Sequence, residues 1–400
     1  MNPVSIIPAF VCILIAIATS FLLMKQFGAP SLKGRFGSID GLRGYLAFFV
    51  FLHHSSIWYF YLHNGIWAAP PSKLYTHFGQ SSVAFFFMIT GFLFFTKLLN
   101  ARERKIDWLH LFVSRLMRLG PLYFFAMALL FLIAFYLSHG TLMETPLGIA
   151  KSAVRWLSFT VLGAPDVNGI ANTGIIMSHV TWSLPYEWFF YLLLPLLALT
   201  VGIRTPWWTL IAVGVATAIV GLAFWHPELL NLATFVTGIA AACLVRIEKI
   251  RRFSTTLWAS ITVAMCIVTT VTVFDSAYAV RPLLLLSVAF ILIASGNTLF
   301  GVLTAPVSRF FGEQAYSLYL LHGIALFVTF NLVIGLNTTR ALTPFFYWMI
   351  VIVLTPILII TTYCTFHMIE APFMLSTEKV TALLRQRRVS RSGVAAILKR

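Results

Sequence analysis

The sequence predicts an all-α protein of the polytopic membrane class, a bundle of about eleven transmembrane helices. Of its 400 residues, 60% are hydrophobic and only 10% are charged, and the mean hydropathy is +0.90. Soluble domains carry about 25% charged residues, so this composition excludes an ordinary soluble fold. Long apolar stretches recur along the whole chain, whereas a membrane β-barrel shows short alternating segments.

Eleven apolar spans follow one another along the sequence. They are residues 4–24, 44–62, 79–98, 119–138, 181–201, 207–225, 229–245, 256–274, 282–300, 312–335 and 345–366. The first span lacks the basic start of a signal peptide and exceeds the usual length of a signal-peptide core, which favours a retained helix. Between the fourth and fifth spans lies the longest connection, in which residues 146–162 predict a short interfacial or re-entrant helix.

The basic residues predict how the bundle is oriented. If the N-terminus is outside, 23 of the 28 Lys and Arg fall on one side of the membrane. The five on the other side are Lys73, Lys151, Arg155, Arg281 and Arg340. The positive-inside rule then predicts a cytoplasmic C-terminus in the cell inner membrane. Basic cytoplasmic loops also account for the high pI, so no nucleic-acid partner is expected.

Arg43 and His54 form the most informative pair. Eleven residues make almost three helical turns, which puts both side chains on one helix face. The histidine lies about 16 Å deeper than the arginine, and ionisable groups at such depth normally mark function. An imidazole can act there as a general base, or it can be a packed histidine in a helix contact. His53 points about 80° away from the Arg43 face, since consecutive helical residues diverge by about 100°.

Arg115 and Arg118 are three residues apart and share a helix face. Arg102, Arg104 and Lys105 add positive charge nearby. The two arginines predict either a positive-inside anchor or a clamp for phosphate, because guanidinium groups match phosphate oxygens.

The segment 181–191 carries Trp182, Ser183 and Glu187 at the predicted outer end of a helix. An interfacial aromatic belt explains the tryptophan without any function. The glutamate needs a partner inside the membrane, so it can orient His54, pair with an arginine or bind a sugar hydroxyl.

Tyr316, Tyr319 and His322 recur every three residues and make a polar stripe on an apolar helix. The stripe indicates either a packed core histidine or a histidine of the functional site, and the polar neighbours favour the site. Cys12, Cys243, Cys266 and Cys364 lie inside apolar spans without metal-ligand spacing, so no metal is predicted.

Several of these segments match the motifs of one family, in the same order. Arg43 and His54 fit an Arg-x10-His motif. Residues 83–93 are similar to a Phe-Phe…Ser-Gly-Phe-Leu segment, with Thr90 in place of the usual serine. Further matches are Arg115-Leu116-Met117-Arg118 with Pro121 and Tyr123, Trp182-Ser183-Leu184 with Glu187, residues 316–322, and Ile369-Glu370-Ala371-Pro372. Over residues 36–375 the chain resembles the acyltransferase-3 family of integral membrane acyltransferases.

The resemblance implies an O-acyltransferase domain of about ten helices at residues 36–375. Residues 1–35 would be an extra helix with its linker, and residues 376–400 a basic cytoplasmic tail. The implied reaction moves an acyl group, with acetyl expected, from acyl-CoA to a hydroxyl of a glycan or lipid acceptor. No permanently bound cofactor is expected.

The resemblance also implies roles for particular residues. His54 would be the catalytic histidine, as a base or an acyl relay, and Arg43, Arg115 and Arg118 would lie at the donor end. A cavity is expected to connect the arginines with His54. A proton-coupled transporter or a lipid or glycan flippase is the alternative, because intramembrane His and Glu also serve proton relays.

Overall fold

The computed structural model of the protein describes residues 2–29, 36–101, 106–223 and 228–386, and for 219–223 the backbone alone. Within these ranges the chain forms α-helices joined by short 3-10 and π-helical turns, and it forms no β-strand. The predicted all-α class is therefore confirmed.

The α-helices are numbered in chain order. They are α1 (Ile6–Phe27), α2 (Gly37–Asn64), α3 (Lys73–Asn100), α4 (Trp108–Leu137), α5 (Pro146–Leu157), α6 (Leu184–Thr200), α7 (Trp207–Ala223), α8 (Leu229–Leu244), α9 (Glu248–Ser254), α10 (Leu257–Val273), α11 (Val280–Ala294), α12 (Pro306–Glu313), α13 (Ala315–Phe327), α14 (Leu336–Arg340), α15 (Pro344–Thr365) and α16 (Ala371–Leu375).

Each of the eleven predicted spans contains a helix, but the helices differ in length and polarity. Six helical segments of the described chain are long and apolar enough to cross a membrane, or seven if α8 and α9, bent by 105°, form one span. Although α2 has 28 residues, Asp40, Arg43 and three histidines make it polar for its length. The fold is a polytopic helical membrane protein, and the count of eleven crossings stays a prediction.

Local side-chain contacts explain where several helices begin. The Ser72 hydroxyl accepts a hydrogen bond from the Tyr75 amide at the start of α3, and the Asp107 carboxylate accepts one from the His110 amide at the start of α4. Such caps satisfy amide groups that have no partner within the first helical turn. Because α4 already begins at Trp108, Arg115 lies two turns inside the helix, although the predicted apolar span begins only at residue 119.

Glycines bring α2 unusually close to α12. A Cβ atom on Gly312 would lie 1.7 Å from the Asp40 carbonyl oxygen. A Cβ atom on Gly41 would lie 2.0 Å from the Leu303 carbonyl oxygen, in the 3-10 turn before α12. In membranes small residues allow helix backbones to approach in this way. The glycines around Arg43 therefore fix the position of its helix.

The extra N-terminal helix α1 packs on the outside of the bundle, against α15 and α12. The Trp348 indole donates to the Pro3 carbonyl at 2.8 Å, and the Tyr75 hydroxyl donates to the Ser5 carbonyl at 2.8 Å. The predicted linker falls mainly on 30–35 and most of the predicted basic tail on 387–400, both outside the described residues. The division of the chain into these three parts stays a prediction.

Candidate active site

Helix α2 carries the first part of the site. Arg43 borders a cavity near the start of the helix, and His54 is buried three turns later. The adjacent His53 turns toward α3, where its Nδ1 lies 2.7 Å from the Tyr75 carbonyl oxygen. His54 turns toward α13 instead, with its Nδ1 2.9 Å from Nε2 of His322. The two histidines therefore have different partners, as their angular separation on the helix predicts.

The cavity has a volume of about 300 Å³ and is enclosed by α2, α3, α4, α6 and α13. Phe86, Phe87 and Phe94 provide aromatic walls from α3. Four cationic side chains also border it, namely Arg43, Lys97, Arg115 and Arg118. Its acidic neighbours are Asp40 and Glu187. The cations outnumber the carboxylates, so the cavity is suited to an anion.

Arg115 has contacts within the protein, but one of its donor nitrogens has no hydrogen-bond partner in the described part of the chain. Its guanidinium lies over the Phe94 ring, 4.9 Å from the ring centre. Its Nε is buried and has no hydrogen-bond partner among the described residues. A buried donor without a partner is costly, so this nitrogen is available for a ligand oxygen.

Glu187, in the first turn of α6, borders the same cavity as these arginines. It accepts a hydrogen bond from the Tyr191 hydroxyl at 3.0 Å. It also interacts electrostatically with Arg115, Arg43 and Arg118. The role of Glu187 stays a prediction.

Ser183 and Tyr319 form the end of the cavity opposite the arginines. The two hydroxyl oxygens are 2.9 Å apart, and the Tyr319 hydroxyl also donates to the Val180 carbonyl at 3.1 Å. The Phe86 ring contacts Tyr319 with centres 5.8 Å apart. On α13 the cavity is lined as far as Tyr319 but not His322, and His54 is not among the residues that border it. The expected continuous passage from the arginines to His54 is therefore not present within the described ranges, and the cavity stops at Tyr319.

The buried histidine pair lies just beyond Tyr319. His322 follows Tyr319 by three residues on α13, and the two rings are 6.3 Å apart. Nδ1 of His322 is 2.9 Å from the Leu318 carbonyl oxygen. Trp67, from the turn between α2 and α3, lies nearly parallel to the His54 ring at 6.2 Å.

A second cavity, of about 460 Å³, is lined by residues of α5, of the connection that follows it and of the start of α6. Trp156, His179, Trp182 and Tyr186 are among its walls. His179 contacts Trp67 at 5.6 Å, so Trp67 connects the edge of this cavity with His54. Trp182 is 37% exposed, as an aromatic side chain at a cavity mouth would be.

The sequence model of the acyltransferase-3 family, described as an acyltransferase domain, matches residues 36–364. The chain belongs to the acyltransferase-3 family. No curated protein and no solved structure matches it. Membership makes this chain a membrane acyltransferase and disfavours the transporter alternative.

In this acyltransferase, sequence reasoning missed several residues beside the predicted ones. Glu370 is buried, accepts a hydrogen bond from Ser317, and interacts electrostatically with Arg118 and Arg43. Its only signal in the sequence was the Ile-Glu-Ala-Pro match, which by itself gave no role. Other residues without a predicted role are Asp40, Lys97, Tyr191 and Trp67. Arg102, Arg104 and Lys105, expected to add charge near Arg115, lie outside the described residues.

Within the described ranges no group of three or more His, Cys, Asp or Glu side chains is arranged to hold a metal ion. The two buried histidines of the site contact each other and backbone carbonyls instead.

Proposed function

We propose that this protein transfers an acyl group, acetyl in the first instance, from acyl-CoA to a hydroxyl of an envelope glycan or lipid. One observation carries the proposal: a cavity bordered by four cations ends one helical turn short of the buried His54–His322 pair. The cationic cavity is suited to a phosphorylated donor, and the histidine pair is suited to proton removal.

The donor would enter from the basic end of the bundle, which we assign to the cytoplasm, with the C-terminus on the same side. Arg43, Arg115 and Arg118 would contact the phosphates of CoA, for which guanidinium is the best-matched side chain. Glu187 and Tyr191 would keep Arg115 in place between turnovers. The acyl end would then extend along the phenylalanines of α3 toward Tyr319.

His54 would act as the general base. Its Nε2 would take the proton of the acceptor hydroxyl while that oxygen attacks the thioester carbonyl carbon. The carbon–sulfur bond would break, and the CoA sulfur would leave with the bonding electron pair and gain the proton. In the relay version, Nε2 of His54 attacks the thioester carbon first, the carbon–sulfur bond breaks and CoA leaves as the thiolate. The acceptor oxygen then displaces the imidazole from the acyl carbon, and the acceptor proton passes to the CoA thiolate. General-base catalysis accounts for about 10²–10⁴-fold, so positioning has to supply much of the remaining acceleration.

The acceptor would approach through the second cavity. Trp182 and Tyr186 offer aromatic faces there, and Ser183 offers a hydroxyl at the boundary with the first cavity. Because Tyr319 and Ser183 separate the two sides, their hydrogen bond would have to open before the thioester meets His54.

The test is release of free CoA by the purified protein in the presence of acetyl-CoA and an envelope glycan fraction. We expect His54→Ala to lower acceptor-dependent release by about 10²–10⁴-fold. His63→Ala is the matched control, since His63 is an exposed histidine on the same helix. A folded His54→Ala variant with undiminished release would contradict the assignment of the base.

The donor site is tested with the arginines. Arg115→Ala and Arg118→Ala should raise KM for acetyl-CoA more than they lower kcat, because they remove contacts that persist from ground state to transition state. The matched control is Arg281→Ala, because Arg281 is an exposed arginine in the first turn of α11. A fall in kcat with unchanged KM would argue against a phosphate clamp.

A further inference from the structure

We propose that His322 is a positioning residue that fixes which nitrogen of His54 carries its proton, so that Nε2 of His54 is the basic atom. The inference rests on the proposed function, in which His54 removes the acceptor proton. It gives His322 a defined task in the buried pair, distinct from direct contact with the acceptor.

The direction of each hydrogen bond follows from the Leu318 carbonyl. That oxygen can only accept, and it lies 2.9 Å from Nδ1 of His322, so Nδ1 of His322 carries a proton. In a neutral ring the other nitrogen, Nε2, is then an acceptor. Because Nε2 of His322 lies 2.9 Å from Nδ1 of His54, the His54 nitrogen is the donor.

This arrangement leaves Nε2 of His54 without a proton. The contact with His322 uses Nδ1 of His54, so Nε2 of His54 stays outside that hydrogen bond. It is therefore the nitrogen able to accept a proton from a hydroxyl. If His54 held its proton on Nε2 instead, the ring would present a donor where the reaction needs an acceptor.

The same hydrogen bond would stabilise the product of proton transfer. When Nε2 of His54 gains a proton, the ring becomes positively charged and its Nδ1–H becomes a stronger donor to His322. In Ser-His-Asp sites a carboxylate performs this orienting task. Here the described ion pairs include neither ring, and a neutral imidazole takes the place of the carboxylate.

Packing makes the pair rigid enough for this role. His322 is 0% exposed and His54 is 9% exposed, so water cannot readily replace either partner. Trp67 covers a face of the His54 ring, and Phe51 contacts the His322 ring edge-on at 6.3 Å. Loss of the imidazole acceptor at position 322 should therefore remove the side-chain partner of Nδ1 of His54 in a buried, largely apolar place.

The experiment compares three variants at this position. His322→Gln keeps an acceptor oxygen at the reach of Nε2, His322→Asn carries the same amide on a shorter side chain, and His322→Leu has no acceptor. We expect His322→Leu and His322→Asn to lower kcat by about 10-fold or more, within the 10²–10⁴-fold ceiling of base catalysis. KM for acetyl-CoA should change less than about twofold, because the proposed donor contacts lie in the cavity bordered by the arginines, which His322 does not line. His322→Gln should recover most of the lost kcat.

A double-mutant cycle separates positioning from a general structural effect. In a His54→Ala background, His322→Leu should cause no further loss, because residues that act as a unit are non-additive. An equal loss for Gln, Asn and Leu, or a loss that persists in the His54→Ala background, would overturn the inference. Wild-type kcat in folded His322→Leu would overturn it as well. If His322→Leu does not fold, the comparison of His322→Gln with His322→Asn tests the inference. Activity in His54→Ala itself would instead contradict the proposed function.

Discussion

The substitution Gly312→Ala tests how close helix packing positions Arg43. The added methyl would lie 1.7 Å from the Asp40 carbonyl oxygen, whereas carbon contacts need about 3.5 Å. The start of α2 would therefore have to move by roughly 1.5–2 Å relative to α12. Asp40 and Arg43 both border the cavity, so this displacement acts directly on the proposed donor site.

We expect Gly312→Ala to affect stability and activity together. Overpacking costs about 1–3 kcal/mol of the free energy of unfolding, and a displacement of about 1 Å at a site can cost roughly 100-fold in rate. The assays are the thermal midpoint of the protein in detergent and the rate of CoA release from acetyl-CoA with acceptor.

The control for this prediction is Gly214→Ala. Gly214 lies on α7, and a Cβ atom there would have no neighbour within 4 Å. The control should keep the wild-type midpoint and rate. If Gly312→Ala behaved like Gly214→Ala in both assays, the claim that α2 depends on contact with α12 would be refuted.

Two further substitutions separate stability from recognition. Tyr347→Phe removes a buried hydroxyl that donates to the Ser55 carbonyl at 2.6 Å, so unfolding in detergent should become easier by about 0.6–2 kcal/mol while KM values stay unchanged. Trp182→Ala removes an aromatic face of the second cavity and should raise KM for the acceptor by roughly 2- to 10-fold, with KM for acetyl-CoA as the internal control. A rise in KM for acetyl-CoA alone would contradict the assignment of Trp182 to the acceptor.

Part of the site was available from the sequence because it depends on local periodicity. The interval from Arg43 to His54 requires only the geometry of one helix, and it correctly separated His54 from His53. The three-residue spacing of Tyr319 and His322 also predicted that both lie on one side of α13. Apolar length predicted a helix for each span, since the membrane requires backbone hydrogen bonds to be satisfied within the segment.

The partners of these side chains required the tertiary structure. Helix periodicity assigns a residue to a face, but the neighbour of that face depends on how helices from distant parts of the chain pack. His54 meets His322 across 268 positions of sequence, and Glu370 meets Ser317 across 53. Likewise, Tyr319 meets Ser183, in the 3-10 turn before α6, across 136 positions of sequence. The sequence thus determined which segments form apolar helices and which side chains share a helix face, and packing between helices determined which of those side chains touch.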